Sequence, residues 1–294
     1  MPLRFERVAV VGVGLIGGSL ALAARAAGVF GHVVGVGRSE ANLQEALRRD
    51  IIDTASRDPH AAVAGADLVV LAVPVRSMPA VVQEFRTALA PGTLVTDVGS
   101  VKRYVLDAVE PLLPAGVPFV GAHPIAGTEE SGAAAARADL FRGHRCVVTP
   151  GTRSGARAVE QIRALWEAVG MEVLEMNADA HDAALAWVSH LPHVLAFAAS
   201  LALERNLPDA ARLAGPSFAS LTRVAASSTD TWVDIFLTNR AAIGQALERF
   251  LAKVEDLRRT IATTKLEELR AWLDGARQAH ERQRRTGGTE SYEC

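Results

Sequence analysis

Imidazole is the one unperturbed side chain that serves as both acid and base near pH 7. His123 sits in Gly121-Ala122-His123-Pro124-Ile125-Ala126-Gly127, just past the apolar run Val117-Pro118-Phe119-Val120. That run reads as a buried strand, with His123 on a loop at its carboxyl end, where α/β sheets bind ligands. Ser100 and Lys102 follow a second strand-like run, Thr93 to Asp97. Spacing alone favours Ser100 as a helix N-cap over a site hydroxyl, and Lys102 as a solvent residue of the first helical turn. Thr128 and Glu129 follow His123 on a turn able to close over it. Downstream, Ser189, His190 and His193 form a second polar group. The two histidines share one helix face at a spacing of three, but no further ligand stands at a suitable spacing, so no metal is expected. Arg223 lies in a mostly apolar helix and needs an anionic partner, either a substrate carboxylate or a structural acid.

The elements that must position these groups begin with Arg7-Val8-Ala9-Val10-Val11, a β-branched strand. Gly12-Val13-Gly14-Leu15-Ile16-Gly17 follows, then an alanine-rich helix to about Ala27. In this G-x-G-x-x-G the first glycine makes the tight turn. The second lets the backbone approach a pyrophosphate, and the third lets helix and strand pack closely. Free N–H groups at the helix start then bind the phosphates. Gly12, Gly14, Leu15, Ile16 and Gly17 are therefore cofactor-binding candidates. The second strand, His32 to Val36, ends in Gly37-Arg38-Ser39 where a ribose-reading acid is expected. A small residue followed by a guanidinium accepts a 2′-phosphate. Arg38 and Ser39 thus favour NADP over NAD, although Glu40 can reach a ribose and Arg38 can stack on adenine. Val73 and Pro74, at the end of a third strand, line the same cleft. Further strands are expected at 145–150 and 171–175, around a helix at 154–169 that holds Trp166 in the core.

After Asn177, a plausible helix cap, strand signals cease. The remainder reads as helices, with Pro192 expected to kink or break the first and Asp230 a candidate cap for a later one. Apolar positions from Ile235 to Ile261 recur at helical spacing and suit a core or dimer contact. The expected fold is α/β: a Rossmann-type, mostly parallel sheet domain (1–176), then an all-α helical substrate and dimerisation domain (177–275), then a polar flexible tail (276–294).

A net charge of -2 offers no basic excess for nucleic acid. The cysteines, Cys146 and Cys294, make no disulfide framework and suit a reducing cytoplasm. The apolar N-terminus imitates a secretory signal, but its glycine spacing is better explained by the nucleotide turn. No further segment is read as long enough, without charge, to span a membrane.

Several blocks together resemble the prephenate/arogenate (cyclohexadienyl) dehydrogenase family of tyrosine biosynthesis. They are Val11-Gly12-Val13-Gly14-Leu15-Ile16-Gly17-Gly18-Ser19, Thr96-Asp97-Val98-Gly99-Ser100-Val101-Lys102 and Gly121-Ala122-His123-Pro124-Ile125-Ala126-Gly127-Thr128-Glu129. Val188-Ser189-His190-Leu191-Pro192-His193, Phe218-Ala219-Ser220-Leu221-Thr222-Arg223 and Trp232-Val233-Asp234-Ile235-Phe236 continue the series in family order. The resemblance implies oxidative decarboxylation of a cyclohexadienyl acid, with hydride passing to NAD(P). It implies that His123 takes the proton of the C4 hydroxyl, that Ser100 orients that hydroxyl, and that Arg223 holds a carboxylate. It makes Ser189, His190 and His193 the pocket wall, Thr128 and Glu129 the gating loop, and the helical halves a homodimer. Ala219 stands where some members carry a lysine. Neither a mutase nor a regulatory domain is expected. The competing readings are a β-hydroxyacid or imine reductase, which leaves the His-Pro-Ile-Ala-Gly block unexplained, and a non-catalytic NAD(P)-binding sensor, which His123→Asn would distinguish.

Overall fold

The computed structural model describes residues 3–128, 130–263 and 265–287. Its contacts fall into two compact units, 1–243 and 244–294. The first contains β1 (Phe5–Val11), α1 (Leu15–Ala26), β2 (Phe30–Val36), α2 (Glu40–Arg48), β3 (Thr54–Ser56), α3 (Pro59–Val63) and β4 (Leu68–Leu71). There follow α4 (Met78–Phe85), β5 (Leu94–Asp97), α5 (Arg103–Val109), β6 (Phe119–Ile125), β7 (Arg145–Pro150), α6 (Ala156–Ala168) and β8 (Glu172–Glu175). Helices α7 (Ala178–Leu185), α8 (Leu191–Asn206), α9 (Pro216–Thr222) and α10 (Thr229–Thr238) complete it. Helix α11 (Arg240–Ala262) begins at its end, and α12 (Leu266–Gly287) lies in the second unit.

The strands form one sheet in the order β3-β2-β1-β4-β5-β6-β7-β8, parallel throughout except that β7 runs antiparallel to β6. Alternation along each strand feeds two apolar layers. Val8, Val10, Leu68 and Val70 face one, with Leu20 of α1 and Trp166 of α6. Ala9, Val11, Val69 and Leu71 face the other, with Val82 and Phe85 of α4 and Val105 of α5. Both faces are covered, which is why these strands read as continuous apolar runs. The Rossmann-type sheet followed by helices is as expected, and Trp166 is fully buried.

Strand β6 outlasts its expected end. Beyond Val120 its pairing with β5 stops, but β7 continues the ladder, His123 opposite Val147 and Pro124 opposite Cys146. His123 therefore stands in a strand rather than on a loop. Pro124 is tolerated because it shares the orientation of Ala122, whose N–H points toward the β5 side; its missing donor falls where β5 has already ended.

Asn177 caps α7 as expected, its side chain accepting from the Ala180 N–H. Pro192 does not break the helix: a π turn over Ala186–His190 precedes it, and α8 runs on to Asn206. The wider turn takes up the strain that a proline puts on the preceding carbonyl. By length and composition, the run Ala178–Asn206 is apolar enough to cross a membrane, contrary to the reading that no further segment reaches that length. Its middle is polar only through His and Ser, which carry no formal charge. Ser228, not Asp230, caps α10. The stretch expected to start a flexible tail at 276 continues α12 through Gly287, supported by pairs such as Arg277–Asp274.

Candidate active site

The glycine turn is shaped by clearance. Gly12 has φ +103°, and a Cβ there would lie 2.3 Å from the Ala72 carbonyl oxygen. A Cβ on Gly17 would lie 2.2 Å from the Gly12 carbonyl oxygen, so α1 can pack this close to β1 only without one. Gly14 differs: nothing lies within 4 Å of its would-be Cβ. It is the N-cap of α1 and offers no capping side chain, so no side-chain cap occupies the helix start, where an incoming pyrophosphate would bind. Leu15 is buried beneath the turn and Ile16 half-buried. Val73 reaches the turn, its Cγ1 3.0 Å from where a Cβ on Gly12 would lie, whereas Pro74 is exposed. The residues present fit a dinucleotide. At the end of β2, Arg38 is exposed and Ser39 caps α2, its hydroxyl accepting from Asn42 N–H at 3.3 Å. Asn42 ties this region together: its amide donates to the Val13 carbonyl (2.7 Å) and its oxygen accepts from Ala133 N–H (2.8 Å).

Next to the glycine turn, β5 ends in Asp97, and the chain turns through Ser100 toward α5. Ser100 is half-buried and does not cap α5, which corrects the N-cap expectation. The cap comes instead from α7: the Asp182 carboxylate accepts from Lys102 N–H (2.8 Å) and Arg103 N–H (2.9 Å). Freed from capping, the Ser100 hydroxyl stands at the carboxyl edge of the sheet. The expectation for Lys102 is also overturned. Its side chain is 0% exposed, with the ammonium bonded to the Asp97 carboxylate and, at 2.7 Å, to the Ala122 carbonyl. A lysine follows its counter-ion into the core when a carboxylate is already buried there.

His123 is 8% exposed. Its Nδ1 lies 2.9 Å from His181 Nε2, and His181 Nδ1 lies 2.7 Å from Asp182 Oδ1. The carboxylate fixes the protons of the whole chain. It only accepts, so His181 Nδ1 carries hydrogen and His181 Nε2, in the neutral ring, must accept. His123 then donates from Nδ1, and its Nε2 keeps a free lone pair. Burial first, then the nearby charges of His181, Lys102 and His190, hold His123 well below the ordinary imidazole range. It is a neutral base at physiological pH.

A second histidine group lies across from this chain. Asn239 donates its amide to the Asp182 carbonyl (2.9 Å) and to His190 Nδ1 (3.1 Å). His190 therefore carries its proton on Nε2, and burial lowers its pKa to about 4. His193 donates from Nδ1 to the Ser189 carbonyl (2.9 Å) and stacks on Trp232 with centroids 3.6 Å apart. Arg223 is exposed at the end of α9, so burial does not force an anionic partner on it; its charge does reach His193, whose pKa it helps to lower after burial. Thr128 is exposed, its hydroxyl accepting from Glu130 N–H at 3.3 Å. Glu129 lies outside the described residues.

His181, Asp182, Asn239 and Asp97 were not among the sequence candidates. The first three contact residues about 50 to 80 positions away, and a single sequence carries no sign of such pairings. Asp97 was legible in principle, as a carboxylate ending an otherwise apolar strand.

Residues 20–175 match the family described as prephenate dehydrogenase, nucleotide-binding domain, and residues 177–275 match prephenate dehydrogenase, dimerization domain. The chain belongs to the prephenate dehydrogenase family. Cyclohexadienyl dehydrogenase of Zymomonas mobilis is 37% identical over 263 residues, 88% of this chain and 89% of that protein. Prephenate dehydrogenase from A. aeolicus, solved with hydroxyphenyl propionate and NAD+, superposes with a TM-score of 0.90 at 32% identity, covering 96% of this chain and 99% of that one. Arogenate dehydrogenase from Synechocystis gives 0.82 at 27% identity, covering 94% and 99%. As a prephenate dehydrogenase family member the chain is an NAD(P)-dependent oxidoreductase that oxidatively decarboxylates a cyclohexadienyl acid. The reductase and sensor readings fall away.

Proposed function

We propose that His123 is the proton acceptor for a cyclohexadienyl substrate, prephenate or arogenate, giving 4-hydroxyphenylpyruvate or tyrosine. The observation that carries this is the proton order along Asp182, His181 and His123, which leaves His123 Nε2 free and aprotic. Bound nicotinamide supplies the hydride acceptor. His123 accepts the proton of the substrate C4 hydroxyl, Ser100 orients that hydroxyl, and the ring carboxylate leaves as carbon dioxide. The imidazolium formed at His123 already donates from Nδ1 into the chain that ends on the Asp182 carboxylate, so the new charge is met without rearrangement. Arg223 holds a substrate carboxylate; Ser189, His190 and His193 form the wall, and Thr128 and Glu129 the gate. Gly12, Gly14, Leu15, Ile16, Gly17, Val73 and Pro74 hold the dinucleotide.

NADP is favoured over NAD, because Gly37 withholds a carboxylate and Arg38 offers an exposed guanidinium to a 2′-phosphate. The segment 1–176 is the nucleotide domain and 177–275 the substrate and dimer domain. The exposed Trp187, Val188, Leu201, Leu213 and Val233 of the helical region are covered by a second copy. The enzyme works in the cytoplasm, where the buried Cys146 stays a thiol.

Steady-state kinetics with prephenate and arogenate against NAD and NADP is the test. His123→Asn is expected to lower kcat by about 10²–10⁴, the usual worth of a general base, while keeping cofactor affinity. Turnover retained in that variant overturns the assignment. Arg38→Ala should weaken NADP much more than NAD, and equal losses refute the cofactor preference. Sedimentation should give a dimer; a monomer at micromolar concentration refutes the covered face.

A further inference from the structure

We propose that the buried Asp97–Lys102 ion pair is a positioning device that completes the sheet beside His123. The need for it arises from topology. Strand β5 stops pairing at Thr96, opposite Val120, and its chain departs toward α5. On that side of β6 the next backbone groups, the N–H and C=O of Ala122, have no strand to bond to. Both are nevertheless satisfied. The Ala122 N–H donates to Asp97 Oδ1 at 3.1 Å, and the Ala122 carbonyl accepts from Lys102 Nζ at 2.7 Å. The ion pair thus takes the place of a missing β5 residue, with the carboxylate as acceptor and the ammonium as donor. Asp97 is held in turn by Gly99 N–H at 2.7 Å, and Lys102 by the cap its own N–H makes to Asp182.

Ala122 immediately precedes His123, so this clamp fixes the peptide that carries the base. The other side of β6 is held by β7. A hydrophobic pair at 97 and 102 would fill the volume but leave the Ala122 groups buried and unbonded, which is a reason to retain a charge pair where an apolar one is often as stable. The ammonium also lies close enough to His123 to favour its neutral form, behind the larger effect of burial. The titratable groups around the ring are Asp97 on β5, Lys102 before α5, His181 and Asp182 on α7, His190 on the π turn and Cys146 on β7. Lys102 is the cation among them.

The proposal rests on His123 as the base. It is tested in the full-length enzyme with Lys102→Met and with the double variant Asp97→Asn/Lys102→Met, which buries no unpaired charge and so keeps the test open if the single variant does not fold. Cofactor dissociation constants, kcat, KM and the pH profile of kcat/KM are measured. Both variants are expected to lose at least tenfold in kcat, with KM and cofactor affinity within about threefold of the parent. The acid limb of kcat/KM should move to higher pH, because loss of the ammonium raises the basicity of His123. If kcat is retained and the limb stays in place, or the only change is a lower melting temperature, the pair is merely structural and the proposal fails. His123→Asn separates the two readings: if it keeps turnover, the assignment of the base falls whatever the Lys102 variants do.

Discussion

Replacing His181 with leucine isolates what the second histidine contributes. The leucine keeps most of the volume but removes the acceptor for His123 Nδ1–H, which is buried and bonded to His181 at 2.9 Å. A stranded buried donor costs about 1–3 kcal/mol. With His123 as the proposed proton acceptor the cost grows as the reaction proceeds, because an imidazolium forms there and charge-assisted bonds are roughly twice as strong as neutral ones. Some 1.5–3 kcal/mol of transition-state stabilisation should therefore be lost, or about 10- to 150-fold in kcat at 1.4 kcal/mol per decade. The ring also becomes free to carry its proton on Nε2, which removes the base altogether in that fraction of molecules. Formation of reduced nicotinamide under saturating substrate is the assay, with cofactor affinity measured alongside. The reasoning is refuted if kcat stays within twofold of the parent, or if cofactor affinity falls as far as kcat does.

Two glycines of the turn should respond differently. Gly14→Ala meets no protein atom within 4 Å, so the melting temperature should hold while cofactor affinity drops at least tenfold; Gly17→Ala, with its Cβ 2.2 Å from a backbone oxygen, should lose both, at about 1–3 kcal/mol of stability or more. Identical behaviour in calorimetry and cofactor titration would contradict the clearances. Acid should destabilise the fold through its buried histidines. His123, His181 and His190 all titrate below 6.5 when folded, so the unfolded chain binds protons first as pH falls. Stability is full above about pH 6.5 and then falls as the unfolded chain takes up protons that the folded histidines refuse. For His190, whose folded value is about 4, that amounts to roughly 3 kcal/mol by pH 4. Urea midpoints that do not move between pH 7 and 4.5 would contradict it. Asn42→Ala removes bonds to both Val13 and Ala133; at about 1 kcal/mol each, cofactor affinity should fall between five- and thirtyfold by calorimetric titration, and an unchanged affinity would show that Asn42 does not support the turn.

Local chemistry made the sheet and its glycine turn readable in the sequence. Val8 to Val11 and Asp67 to Leu71 announce buried strands because both faces are covered, and Gly12 and Gly17 stand where no Cβ fits. His123 was visible as a base but not as a strand residue, since the support it receives from β7 is long-range. Lys102 was misread for a related reason: periodicity places it at a helix start, but its counter-ion Asp97 belongs to the preceding strand. Asp182 is harder still. Nothing near it in the chain says that its carboxylate caps α5, a helix roughly 80 residues away. That cap also explains why Ser100, the locally plausible choice, was not needed for the role.

The reversal of β7 has a consequence for how such an enzyme can change. A right-handed crossover after β6 would have carried the chain to the far rim of the sheet before starting the next strand. Because β7 pairs antiparallel, with Ile125 opposite Arg145, the connection of residues 126–144 leaves and returns at the same rim, the one that holds the glycine turn and His123. Insertions at its exposed positions lengthen that connection without shifting a strand register. The same connection is tethered to the nucleotide turn through Ala133 and Asn42, and to α1 through Arg137 and Ser19, so a change near those anchors is felt at the dinucleotide end of the sheet.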